Sequence, residues 1–124
     1  MIAMLWVGLG GFLGANARFF LGGWVAERWG TDFPYATLLI NITGSFILGF
    51  FLGFIEERPW VHPNSRLLFS IGFVGAYTTF STYAYESIAL VERGELLLAG
   101  INVFGSVVAG LLAVLAGLVL GRAI

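Results

Sequence analysis

The chain is poor in the residues on which soluble domains and enzymes depend. It has no cysteine, which excludes disulfides and thiolate metal sites. Charged residues make up 10% of its 124 residues, whereas soluble domains carry roughly 25%. The net charge of −1 gives no basic surface for nucleic acid. What remains is 59% hydrophobic, with a mean hydropathy of +0.94, which is the composition of a membrane protein.

Ionisable groups are also missing from the places where many transporters need them. The middles of the apolar segments hold no Asp, Glu, Lys or His. A proton-coupled exporter of cationic solutes, the alternative function for a chain of this size, carries its proton on such a group, and only Glu86 is available. No nucleophile–base pair, zinc-binding helix motif or phosphate-cradling loop is present, so we do not predict an enzyme. A non-transporting assembly subunit is a third possibility.

Four apolar segments are each long enough to cross a bilayer, and short polar joints separate them. They cover about 4–25, 35–55, 66–90 and 96–120. The first segment has neither a positive residue before it nor a polar cleavage region after it, so we interpret it as a span rather than a signal peptide. Residues 1–124 are therefore predicted to form one all-α, four-helix transmembrane domain of a multi-pass membrane protein.

Small residues recur at a spacing of four along three of these segments. The pairs are Gly10 with Gly14, Gly49 with Gly53, and Gly117 with Gly121. Because such pairs let helix backbones approach closely in lipid, we expect tight packing within one bundle at these positions.

Two segments carry a stripe of polar side chains. Thr37, Asn41 and Ser45 lie four apart on the second segment, and Asn102 and Ser106 repeat this spacing on the fourth. A serine or threonine can bond to its own helix, but an asparagine amide offers more groups than its backbone can satisfy. We expect both asparagines to face a partner helix or water, and for Asn102 a simple bond between helices is the serious alternative.

The third segment contains a polar run, Thr78–Thr82, where a continuous helix would be expected. Thr78 lies eleven residues after Leu67, which is about 16 Å of helix and close to the middle of a ~30 Å hydrocarbon core. Irregular backbone at this depth is tolerated only beside protein or a water-lined cavity. A broken helix in the membrane often marks an ion or substrate site, so Thr79 is a candidate site residue.

Two aromatic residues accompany the polar run, Phe80 and Tyr83. Ring edges carry partial positive charge, so these rings and the Asn41 amide could solvate an anion that loses its water. Packing is the alternative for both rings. Arg18 is expected near an interface, where it either extends to the headgroups or attracts anions to a pore mouth.

The arginines do not favour one orientation in the membrane. Four spans place Arg58, Arg66 and Arg122 on one side and Arg18, Arg28 and Arg93 on the other. The positive-inside rule therefore has nothing to act on. We infer that copies can insert both ways and pair antiparallel, although other factors could impose a single topology.

Three motifs, in order, resemble those of the CrcB/Fluc family of bacterial fluoride channels. Residues 10–18 (GGFLGANAR) resemble the family's GGxxGAxxR opening, and residues 37–46 (TLLINITGSF) resemble its TLxVNxxGSF. Residues 72–83 (GFVGAYTTFSTY) resemble its GfxGgxTTFSTF, with Glu86 at the usual acidic position. The third motif is highly specific, and the likeness extends over essentially the whole chain. Tyr83 is a departure, because the family usually has phenylalanine there.

The resemblance implies a passive fluoride channel in the bacterial inner membrane, built as an antiparallel, dual-topology homodimer. It implies pores along the subunit interfaces and a structural sodium ion at the centre, held by the backbone carbonyls of Gly75 and Thr78 from both copies. The expected pore residues share a polar or aromatic side chain beside the break, on the stripes or at the vestibule. They are Asn41, Phe80, Tyr83, Ser106, Asn102, Thr37, Thr79 and Arg18. For Tyr83, the added hydroxyl could bond to the anion, to water or to a neighbouring group.

Overall fold

The computed structural model describes residues 1–124, and its only regular elements are helices. These are α1 (Ile2–Trp29), α2 (Tyr35–Ile55), α3 (63–77), α4 (Phe80–Glu92) and α5 (Leu96–Ala123). Three of them, α1, α2 and α5, are long and apolar enough to cross a membrane as single helices. The third crossing is made by α3 and α4 in series. Three of the four predicted spans are thus single helices of sufficient length, and the segment predicted as the third span is divided into two.

The helix ends differ from the predicted ones where local backbone chemistry decides. Helix α1 continues past residue 25 to Trp29 and stops at Gly30, whose positive φ of 79° suits glycine and whose N–H bonds to the Ala26 carbonyl. Helix α3 begins at Pro63, three residues before the predicted start. There the His62 Nδ1 atom accepts the Asn64 backbone N–H at 3.0 Å and caps the helix.

Two stretches of the third and fourth crossings are π-helical, which hydrophobic periodicity does not reveal. They are Arg66–Val74 in α3 and Ile101–Gly105 in α5. The Gly75 N–H, for example, reaches the carbonyl of Ser70, five residues earlier. Such wide turns shift the register of the side chains that follow and are frequent at functional sites. Here the first stretch precedes the break in the third crossing, and the second contains Asn102.

The helices pack in two close pairs, and glycine forms the contact surface of each. In the α1–α3 pair, an added methyl at Gly10 would overlap the Leu68 carbonyl. In the α2–α5 pair, an added methyl at Gly49 would overlap the Val114 carbonyl, and one at Gly117 that of Phe46. The prediction that the spaced glycines serve packing within the bundle is confirmed. Backbones that touch directly gain dispersion contacts, which drive helix association in lipid.

Few side chains are fully enclosed, since only 19 of 124 residues are buried. Large apolar side chains such as Phe12, Phe19 and Leu97 are more than half exposed along the helices. A soluble protein of this size would bury such groups. The surface therefore suits an apolar environment such as lipid rather than water.

One ion pair joins the C-terminal ends of α2 and α5. Arg122 donates to Glu56 through both Nε, at 2.6 Å, and a terminal nitrogen, at 3.2 Å. This hydrogen bond lowers the pKa of Glu56 below its usual value. Both side chains are about half exposed, so the pair marks the end of the bundle and contributes little to its stability.

Replacing Gly14 by alanine should destabilise the bundle by about 1–3 kcal/mol, as overpacking does. The added methyl would overlap the Phe73 carbonyl and lie 3.0 Å from its Cα. Gly23→Ala is the matched control, because the same helix leaves open space around that position. Thermal unfolding in detergent measures both variants, and equal stability of the two would contradict the close α1–α3 contact.

Candidate functional site

The predicted break in the third crossing is present at Thr78 and Thr79. Both are extended, with φ/ψ of −82°/158° and −149°/121°. The Thr78 N–H still bonds to the Val74 carbonyl and closes α3. The Thr79 hydroxyl accepts the Thr82 N–H at 3.2 Å and caps α4. Helix α3 has fifteen residues and α4 has thirteen, so the break lies close to the middle of the crossing.

Asn41 on α2 satisfies the backbone of the break. Its Nδ2 donates to the Thr79 carbonyl at 2.9 Å, and its Oδ1 accepts the Thr79 N–H at 2.8 Å. The amide therefore bonds Thr79 as a neighbouring β-strand would. One N–H of the Asn41 amide makes no bond in the chain, and it remains available to another acceptor.

Gly44 lets the break lie directly against α2. A methyl at this position would overlap the Thr78 side chain and stand 3.1 Å from the Tyr77 ring. The buried Tyr77 hydroxyl shares a 2.8 Å hydrogen bond with the Thr43 hydroxyl. These contacts fix the end of α3 and so determine where Thr78 can lie.

A groove of about 290 Å³ runs beside the break, and we call it the Asn41 groove. Its polar and aromatic lining comes from α2, the break, α4 and α5. Those residues are Asn41, Ser45, Thr78, Thr79, Phe80, Tyr83 and Ser106. The Phe80 and Tyr83 rings lie 5.6 Å apart at 48° to each other. Phe80 is 78% exposed, so the groove is open on its side.

The Tyr83 hydroxyl is used inside the protein. It donates to the Val103 carbonyl, in the π-helical part of α5, at 2.7 Å. Of the three partners left open by the sequence, the structure thus selects a neighbouring group. Tyr83 presents its ring to the groove, as a phenylalanine would.

A second and larger groove of about 620 Å³ lies next to the first, and we call it the Arg18 groove. Its polar side chains are Arg18, Glu27, Thr37, Thr79 and Thr82. Arg18 is half-buried, and its Nε donates to the Ala76 carbonyl at 3.1 Å, in the last turn of α3. A cation at a helix C-terminus is favourable. Arg18 is therefore anchored in the bundle instead of extending freely to an interface. Thr79 lines both grooves.

The two polar residues of α5 occupy different positions. Ser106 lines the Asn41 groove, but Asn102 is 2% exposed and lies behind the groove wall. The Asn102 Nδ2 donates to the Ser87 hydroxyl at 2.8 Å. For Asn102 the structure thus favours the bond between helices, which the sequence left as the alternative.

The backbone at Gly75 and Thr78 has unused polar groups. No hydrogen bond within the chain reaches the Thr78 carbonyl, and Gly75 is exposed. Carbonyl oxygens of this kind are the ligands that hard cations bind in proteins.

Several groups at the site have no signal in the sequence. The Ala76 and Val103 carbonyls matter by position alone, since every residue carries a carbonyl. Ser87 does have a weak signal, because it follows Tyr83 by four residues and faces the same side of α4. Its role depends on where Asn102 lies, which requires the structure.

Replacing Asn41 by leucine should open the break, because the N–H and carbonyl of Thr79 would both lose their partner. We expect a destabilisation of about 1–3 kcal/mol and a Thr79 amide that exchanges its hydrogen roughly tenfold faster or more. Amide exchange measured by NMR in detergent micelles tests this. Ser45→Ala is the control, since Ser45 lines the same groove without a hydrogen bond to the break. Unchanged Thr79 exchange in Asn41→Leu would contradict the role of the amide.

Comparison of the sequence with known proteins identifies its family. The family model described as "CrcB-like protein, Camphor Resistance (CrcB)" matches residues 5–118. A protein of Koribacter versatilis, named "Fluoride-specific ion channel FluC", is 53% identical over 97% of this chain and 95% of its own. Proteins of the same name from Acidobacterium capsulatum and Geotalea uraniireducens are 45% and 40% identical. They cover 97% and 100% of this chain, and 96% and 100% of their own length. The chain belongs to the CrcB-like family.

Proposed function

We propose that the chain is a passive fluoride channel of the bacterial inner membrane, with the Asn41 groove as part of the ion path. The Asn41 groove carries this proposal, because it places neutral donors and ring edges beside a break in a membrane-spanning segment. The relatives named as fluoride-specific channels, at 40–53% identity over nearly the whole chain, support it.

The lining of the Asn41 groove fits a small anion that must give up water. Fluoride is strongly hydrated, so a path for it must replace lost hydration with close donors. The spare N–H of Asn41 and the Ser106 hydroxyl can each donate, and the rings of Phe80 and Tyr83 offer positively polarised edges. Arg18 lines the adjoining groove together with Glu27, and its positive charge, held at the end of α3 beside the break, attracts anions toward the Asn41 groove.

The ion path needs a second wall, and a second copy of the chain is our proposal for it. Phe80, on the open side of the Asn41 groove, is 78% exposed, and the outer faces of the helices are apolar. The six arginines divide three against three between the two sides, which favours insertion in both orientations. We therefore propose an antiparallel, dual-topology homodimer with its pores at the interface.

Such a pair of copies offers a place for a structural sodium ion. The Thr78 carbonyl has no partner within the chain, and the exposed Gly75 lies one turn before it. The carbonyls of both residues, contributed by two copies, would give the oxygen ligands that a hard cation requires. The ion would supply positive charge that holds the two breaks together. Asn41 and Arg18 already occupy the neighbouring carbonyls, so these two remain for the ion.

The alternative function, proton-coupled export of cationic solutes, has weaker support. Glu86, the carboxylate that the sequence offers for this role, lines neither the Asn41 groove nor the Arg18 groove. Glu27 does line the Arg18 groove, but it lies in the last turn of α1, at the end of the span. A passive path needs no protonatable group, which agrees with the composition of the spans.

Purified protein in liposomes should release fluoride rapidly and chloride negligibly, as read by a fluoride electrode and a chloride electrode. Replacing Phe80 by isoleucine removes one ring edge and should slow fluoride release roughly tenfold. Phe104→Ile is the matched control, because Phe104 is similarly exposed, at 72%, and lines neither groove. Equal release of both ions by the wild-type protein would contradict the proposed function.

Tyr83→Phe should keep fluoride release within about threefold of wild type, since the hydroxyl faces α5 and the ring remains. The lost bond to Val103 should lower stability by about 0.5–1.5 kcal/mol. Tyr83→Ile, which removes the ring as well, should lose most of the release. A loss of release in Tyr83→Phe equal to that in Tyr83→Ile would indicate that the hydroxyl serves the ion.

A further inference from the structure

A line of hydrogen bonds runs from the Asn41 groove into the contact between α4 and α5. The Ser106 hydroxyl bonds to the Asn102 Oδ1 at 3.3 Å, and the Asn102 Nδ2 bonds to the Ser87 hydroxyl at 2.8 Å. The Ser87 hydroxyl in turn bonds to the Tyr83 carbonyl at 2.8 Å. Ser106 and the Tyr83 ring line the groove, whereas Asn102 and Ser87 are 2% and 6% exposed and lie behind it.

The inner end of this line fixes its direction. A carbonyl can only accept, so the Ser87 hydrogen must point to Tyr83. The Ser87 oxygen is then free to accept the Asn102 Nδ2, which turns the Asn102 amide oxygen toward Ser106. Because that oxygen also only accepts, the Ser106 hydroxyl must give it its hydrogen. Ser106 then presents lone pairs, and not its hydrogen, to the groove.

The outermost bond is the weak one. At 3.3 Å the Ser106–Asn102 contact is longer than the usual 2.5–3.0 Å of O–H···O bonds. The two inner bonds, one N–H···O and one O–H···O, are both 2.8 Å long, which is an ordinary length for each type. The Ser106 hydroxyl can therefore turn and donate its hydrogen bond to a strong acceptor in the groove, while Asn102 stays in place. When that acceptor leaves, the Ser106 hydroxyl donates to the Asn102 oxygen again, since a buried acceptor without a partner is unfavourable.

We propose that Asn102, oriented by Ser87, is a positioning residue that makes Ser106 a conditional donor. An anion obtains the Ser106 hydrogen only by competing with the Asn102 oxygen. Fluoride is a strong hydrogen-bond acceptor and wins this competition. Chloride is a weaker acceptor and does so less readily. This inference rests on the proposed function and adds a selectivity element to it, formed by two residues that do not contact the ion.

Ser87→Ala tests the proposal, because it frees the Asn102 amide to turn and donate to Ser106. The Ser106 hydrogen would then be available to any anion in the groove. We expect the ratio of chloride release to fluoride release from liposomes to rise roughly three- to tenfold, the effect of one neutral hydrogen bond. Ser87→Thr keeps the hydroxyl and should restore the wild-type ratio. Ser87→Cys, with a weaker acceptor of similar size, should give an intermediate ratio and replaces Ser87→Ala if that variant does not fold.

The same substitution in a Ser106→Ala background separates positioning from general loosening. If Ser87 acts through Ser106, Ser87→Ala should not change the ratio further in that background. An equal rise in both backgrounds, or an unchanged ratio in folded Ser87→Ala and Ser87→Cys, would overturn the inference and leave the proposed function intact. Wild-type protein that releases no fluoride would overturn both.

Discussion

The structure depends on the two hydrogen bonds between the Asn41 amide and the backbone of Thr79. An open peptide group in the middle of a membrane crossing would be strongly unfavourable, because neither lipid nor an adjacent helical turn can bond to it. Asn41 removes this penalty on both sides of one residue. The break can then exist, the Asn41 groove can form beside it, and the end of α3 can expose carbonyls that bond elsewhere.

The other helices hold the remaining ends of the broken crossing. Arg18 on α1 takes the Ala76 carbonyl, and the Tyr83 hydroxyl joins α4 to α5 at Val103. The glycine contacts bring the backbones close enough for these bonds, since a methyl at Gly14 or Gly44 would separate the partners. The packing of the apolar surfaces and the placement of the few polar groups are therefore one problem, solved by small residues.

Much of this could be predicted from the sequence, for identifiable reasons. The break followed from a polar run at a depth where helix is expected, and the glycine contacts followed from their spacing of four. The two bonds of Asn41 could not be predicted, because they depend on the height of α2 relative to the break. The π-helical turns shift the register of Asn102 without changing the apolar pattern, so its burial behind the groove was only an alternative at the level of sequence.

Thr79 has several structural roles at once. Its backbone bonds to Asn41, its hydroxyl caps α4, and its side chain borders both the Asn41 groove and the Arg18 groove. A substitution that changes one of these roles would disturb the others. Serine is the one small replacement that keeps a capping hydroxyl of the same reach, so position 79 should be nearly frozen as the family diverges. Adaptation of the entrance must instead come from a neighbour such as Thr37, which lines only the Arg18 groove.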